Sequence, residues 1–150
     1  MIDLAIPAFG FLCVVAGGLF LVGCFVRVDS PGFIERAAGD EQKIHKLRSL
    51  QAAWGKLGKL RQFVASSSGY LIMAVGLLLI WRKPELAGYS WVVPAAYALN
   101  VIALLRVRRH ALLTLDKESP GGAEVLKVIK QNIRACITFS VVFVLLAAAI

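Results

Sequence analysis

Four apolar stretches, 4–26, 63–81, 87–105 and 135–150, take up about half of this 150-residue chain, and none holds an Asp, Glu, Lys, Arg or His. A helix needs about 20 apolar residues to cross the hydrocarbon of a bilayer. Backbone polar groups in lipid must be bonded within their own segment, so continuous runs of this kind are expected as helices. A membrane β-barrel would instead show alternating segments of about 10 residues. The expected fold class is all-α: a polytopic membrane protein with four transmembrane helices in one unit. The last stretch holds only 16 residues, about 24 Å of helix. It is expected to span by snorkelling of Arg134 at one end. A hydrophobic content of 59% and a mean hydropathy of +0.75 exclude an ordinary soluble domain.

The charges set the expected orientation. Of 17 Lys and Arg, 15 lie in the segments 27–62 and 106–134, while the turn between the second and third stretches holds only Arg82 and Lys83. The positive-inside bias then puts both long segments in the cytoplasm and both termini outside, as two out-in-out hairpins. Acidic residues leave this assignment unchanged, because the whole net charge of +8 belongs to that one face. The expected location is the plasma membrane, taken as a bacterial inner membrane. Trp81, Tyr89 and Trp91 flank the outer turn, where an aromatic belt is expected. The first stretch lacks a basic leader and is long for a signal-peptide core, so it reads as a retained span.

Both basic segments carry helical patterning. Ile44, Leu47, Leu50, Trp54, Leu57 and Leu60 recur at spacings of three and four, with Lys43, Lys46, Arg48, Lys56, Lys59 and Arg61 between them. This predicts a basic amphipathic helix, broken or softened at Gly55 and Gly58. Lys43, Ile44, Lys46, Leu47, Leu50, Trp54, Lys56, Leu57 and Lys59 are its expected surface for anionic lipid or a partner subunit. Asp29-Ser30-Pro31-Gly32 and Glu118-Ser119-Pro120-Gly121 are turn tetrapeptides of one design, and each follows an Arg-Val pair. Turn chemistry accounts for the recurrence better than duplication does. The last helix is expected to begin near Ala123.

Small residues mark candidate helix seams. Gly10, Gly17 and Cys24 recur at seven, with Cys13 on the same side, and Ala65, Gly69 and Gly76 form a similar stripe. Such residues let backbones approach where lipid supplies no hydrophobic drive. Asn100 is the most polar side chain near the middle of a stretch and is expected to bond to another helix. His45 and His110 lie outside the stretches and are read as solvated. The three cysteines show no Cys-x-x-Cys and are read as apolar packing. No cofactor or metal is expected, although bound lipid is, and no nucleic-acid partner is expected.

The length and N-out plan are similar to those of small four-helix membrane enzymes of eicosanoid and glutathione metabolism. The Arg, Asn and Glu set of that family's second helix has no counterpart in 63–81. The expected function is therefore a non-catalytic accessory, assembly or regulatory subunit of a larger membrane complex, with other subunits or self as partner. A homo-oligomeric pore and an enzyme acting on a lipophilic substrate at the cytoplasmic interface are the alternatives.

Overall fold

A computed structural model of the chain describes the backbone of residues 2–25, 39–81 and 86–149. All regular structure among them is helical: α1 (Ile2–Phe25), α2 (Glu41–Lys56), α3 (Lys59–Trp81), α4 (Leu86–Tyr89), α5 (Val92–Thr114) and α6 (Pro120–Ala148). Three segments are long and apolar enough to cross a membrane: Leu4–Gly23 within α1, Lys59–Trp81 and Pro120–Ala148. They correspond to the first, second and fourth apolar stretches. Their outward faces carry Leu4, Phe11, Leu19, Leu77, Val141 and Leu145 exposed. A helix apolar on its exposed face suits lipid as solvent.

The third expected span, 87–105, is corrected by the structure. It is not one helix. A short α4 ends at Tyr89, and α5 starts only at Val92. Pro94 gives the reason: without an N–H it cannot bond to the carbonyl of Ser90, and its ring would crowd that group in a continuous helix. The first bond of the new helix is Ala95 N–H to the Trp91 carbonyl, at 3.1 Å. From Val92 to Leu105 the uncharged section is 14 residues, about 21 Å, before Arg106, Arg108 and Arg109. The described helices thus include three that meet the requirement for a span, not four.

The bundle has two stacked cores. At the apolar end, Ile6 and Cys13 of α1 pack with Ile72, Val75 and Leu79 of α3, Val93, Tyr97 and Leu104 of α5, and Cys136 and Phe143 of α6. At the basic end, Leu50, Ala53 and Trp54 of α2, with Leu57 just beyond it, pack with Ala65, Val107, Ala111, Leu115, Val125 and Ile129. Val64 and Ile133 touch both cores and join them. The second core exists because α6 begins well before its apolar stretch and α5 runs well past its own.

Local chemistry sets the helix ends. Ser119 caps α6 by accepting from the Gly122 N–H at 3.0 Å, with Pro120 in the first helical position. The helix therefore starts three residues before the expected Ala123. The matching tetrapeptide at Asp29 lies outside the described residues. Asp40 caps α2, its carboxylate accepting from the Lys43 N–H at 3.1 Å and pairing with the Lys43 ammonium at 2.9 Å. The amphipathic pattern breaks at Gly58, one of its two expected weak points, whose φ of +76° suits glycine. The Gln62 side chain donates to the Trp54 carbonyl at 2.8 Å and the Arg61 guanidinium to the Leu57 carbonyl at 3.3 Å. These bonds satisfy carbonyls freed where α2 stops.

Candidate functional site

α1 and α3 run antiparallel with their backbones in close approach along a line of glycines. A methyl group added at Gly10 would lie 2.9 Å from the Gly76 carbonyl oxygen. One added at Gly17 would lie 2.7 Å from the Gly69 carbonyl oxygen. Gly10 therefore faces Gly76 and Gly17 faces Gly69, two heptads in one register. Cys13 is buried between them, its Cβ 2.8 Å from where a Gly76 methyl would sit. The Cys24 side chain lies outside the described residues. Ala65 shares the α3 spacing but belongs to the basic-end core. Gly18, next to the seam, faces open space.

A partly buried polar layer crosses the bundle one helix further in. The Ser67 hydroxyl lies 2.5 Å from Asn100 Oδ1 and 2.6 Å from the Val64 carbonyl, so its single proton serves one of these two acceptors. Asn100 Nδ2 donates to Cys136 Sγ at 3.2 Å. One turn toward the basic end, Asn132 Nδ2 donates to the Ala65 carbonyl at 2.5 Å. Asn100 thus links α3, α5 and α6, and Asn132 links α6 back to α3. Ser68 Oγ, Tyr97 Oη and Asn132 Oδ1 are buried with no hydrogen-bond partner. Bonds of this kind contribute about 0.6 kcal/mol each in membrane helices, so the layer fixes register more than it adds stability.

Asn132 was not legible as a bundle residue while 106–134 read as a wet segment. A signal was present, since Val125, Ile129, Asn132, Cys136 and Phe143 recur at three, four and seven. All five are buried on one face of α6.

The amphipathic helix α2 lies against the first half of α6. Gly121 makes this approach close: its N–H donates to Ser49 Oγ at 3.0 Å, and any side chain there would strike the Ser49 carbonyl. Leu50, Trp54 and Leu57, expected at a lipid or partner surface, are instead covered by the same chain. The physical reason is that α6 extends its own apolar stripe, Val125 and Ile129, under them. Ile44 and Leu47 are half-buried, and Lys43, Lys46, Lys56 and Lys59 are exposed. The Lys43 ammonium bonded to Asp40 holds that carboxyl below the ordinary carboxylate range, and the Asp40 carboxylate raises Lys43 in return.

Apolar side chains also stand exposed at the basic end. Leu113 is 79% exposed and Leu60 77%. Leu113 lies seven residues past Arg106, about 10 Å further along the helix. His45 is exposed on α2 and His110 is half-buried on α5. Among the described residues no three His, Cys, Asp or Glu side chains are gathered as metal ligands would be. A groove of about 320 Å³ lies between α1 and α6, lined by Ala16, Phe20 and Gly23 on one side and Val128, Gln131 and Asn132 on the other.

Comparison with protein-family models, with curated proteins and with solved structures gives no match.

Proposed function

We propose that this chain is an accessory, non-catalytic subunit of a larger membrane complex, crossing a bacterial inner membrane four times with its basic end in the cytoplasm. The observation that carries the reading is the exposed pair Leu112 and Leu113. Both lie beyond Arg106, Arg108 and Arg109, which mark the headgroup level under the positive-inside bias. Apolar side chains past that level are out of the hydrocarbon, and a partner subunit is what would cover them. The short uncharged section of α5 supports the same reading. About 21 Å of helix falls short of a typical hydrocarbon core of about 30 Å, and neighbouring protein relieves such a mismatch.

The exposed lysines of α2 and the arginines of α5 supply the second set of partners, anionic headgroups, at about 1 kcal/mol per basic residue near the surface. The test is a double substitution, Leu112→Glu with Leu113→Glu, in the chain expressed in its native membrane. The native mass of the assembly after mild solubilisation is then compared with that of the parent. The parent should migrate with additional subunits, and the variant should lose them while staying in the membrane fraction. A parent that migrates as a homo-oligomer would favour the pore, and one that migrates alone would refute the accessory role.

A further inference from the structure

We infer that the outward face of α5 docks a helix of a partner subunit, one that leaves the membrane beside α5 and carries carboxylates level with Arg106 and Arg109. The inference rests on the accessory reading above and names the chemistry of the partner which that reading requires.

The first observation is a seam. Leu99, Ile102, Arg106, Arg109 and Leu113 follow one another at three, four, three and four residues, the spacing that keeps one narrow stripe of a helix against a neighbouring helix. All five are exposed. The opposite face, with Tyr97, Leu104, Val107 and Ala111, is buried in the chain's own bundle. The outward stripe therefore runs unbroken from the apolar section of α5 into the basic end.

The second observation is the order of residues along that stripe. Arg106 and Arg109 separate Leu113 from the apolar part, and Leu113 is 79% exposed. Lipid could cover Leu113 only if both arginines entered the hydrocarbon ahead of it, where a charged side chain is costly. Headgroups meet the arginines but leave Leu113, about 10 Å beyond Arg106, in water. A partner helix lying along the stripe covers all five positions together, and its carboxylates take the place of headgroups at the two arginines.

The third observation is charge. Neither Arg106 nor Arg109 pairs with an acidic side chain among the described residues. A guanidinium is a donor only, so a partner that covered it without an acceptor would strip a cation of water and leave it unpaired. A carboxylate fits, because its two oxygens accept two N–H bonds from one guanidinium. A second copy of this chain does not fit. Two copies related by an axis normal to the membrane would run their α5 helices in parallel and set arginine against arginine at one depth. Like-charge contacts of that kind suppress a wrong partner.

The test reconstitutes the whole chain in phosphatidylcholine vesicles, which hold no anionic headgroup to compete. The probe is a synthetic helix with an apolar span of about 20 residues, followed by two glutamates and a leucine at the spacing of Arg106, Arg109 and Leu113. A second probe has lysines in place of the glutamates. Energy transfer between labelled chain and labelled probe measures their association. The parent should bind the glutamate probe roughly tenfold more tightly than the lysine probe. Arg106→Glu with Arg109→Glu should reverse that preference, and Leu113→Ala should weaken both probes alike. A parent with no preference, or a preference that the arginine exchange leaves unchanged, overturns the acidic partner. A fluorophore at position 113 that reports an apolar environment in phosphatidylglycerol vesicles without any probe assigns the face to lipid and overturns it too. The arginine exchange is then made in the native membrane, where loss of the associated subunits is expected. Subunits retained after the exchange overturn the acidic partner and leave the accessory reading standing, whereas a parent that migrates alone refutes that reading itself.

Discussion

Replacing Gly17 by Ala is the sharpest test of how α1 and α3 are held together. The new methyl would lie 2.7 Å from the Gly69 carbonyl oxygen, 2.7 Å from the Met73 nitrogen and 2.8 Å from the Met73 Cβ. Two of those three atoms are backbone, so no rotamer change relieves the contact. To reach an ordinary separation of 3.4 Å the helices must part by more than half an ångström. A gap of about 0.5–1 Å forfeits a quarter to a half of the dispersion well, and the loss is shared along a seam that continues to Gly10 and Gly76. Overpacking of this kind costs about 1–3 kcal/mol.

Alanine also has a higher helix propensity than glycine, by about 1 kcal/mol, which partly offsets the clash. Gly18→Ala isolates that gain, because a methyl there meets nothing within 4 Å. The difference between the two variants cancels propensity and should be about 1–3 kcal/mol in favour of Gly18→Ala. Reversible unfolding in mixed micelles titrated with a denaturing detergent, followed by helical circular dichroism, measures it. Equal stability of the two variants, or a more stable Gly17→Ala, refutes close packing at the seam.

Asn100→Leu removes the partners of both Ser67 and Cys136 and should cost about 1 kcal/mol in the same unfolding assay, less than the seam clash. A cycle with Ser67→Ala should return a coupling of about 0.6 kcal/mol, and zero coupling would show that the Ser67 proton goes to Val64. Asp40 makes α2 sensitive to acid. Its pKa is lowered by the Lys43 side chain, so its contribution is present above the ordinary carboxylate range and is lost as pH falls through the lowered value. Hydrogen exchange should show the first turn of α2 losing protection over that fall. Asp40→Asn keeps a capping oxygen and should show no such step; a step of the same size in the variant would assign it to another group.

Much of the bundle was legible because membrane helices declare themselves by uninterrupted apolarity. α1, α3 and the second half of α6 follow from it directly. Where the structure departs from that reading, a single residue or a distant surface decided the matter. Pro94 cuts the third stretch and moves the start of α5 to Val92, a local effect that mean hydropathy does not register. The break at Gly58, by contrast, was expected from the sequence, although side-chain periodicity continues through Leu60. The glycine spacing in α1 and α3 was visible, but the pairing of Gly10 with Gly76 and of Gly17 with Gly69 is a three-dimensional register that spacing alone does not contain. Leu50 and Trp54 read as a docking face because a sequence pattern shows that an apolar face exists and not what covers it. The cover, Val125 and Ile129, lies about 75 residues away in the sequence. Asn132 was obscured by its charged neighbours Lys130 and Arg134, although its register with Ile129 and Cys136 places it inward.

The proposed function turns on four crossings of the membrane with the basic end in the cytoplasm, which requires α5 to cross despite its short uncharged section. Single cysteines at positions 40, 86 and 120, introduced in a background lacking the native cysteines, test it with a membrane-impermeant thiol reagent applied from either side. The account predicts labelling of positions 40 and 120 from the cytoplasmic side only and of position 86 from the outside only. Labelling of position 86 from the cytoplasm, or of positions 86 and 120 from the same side, would contradict it.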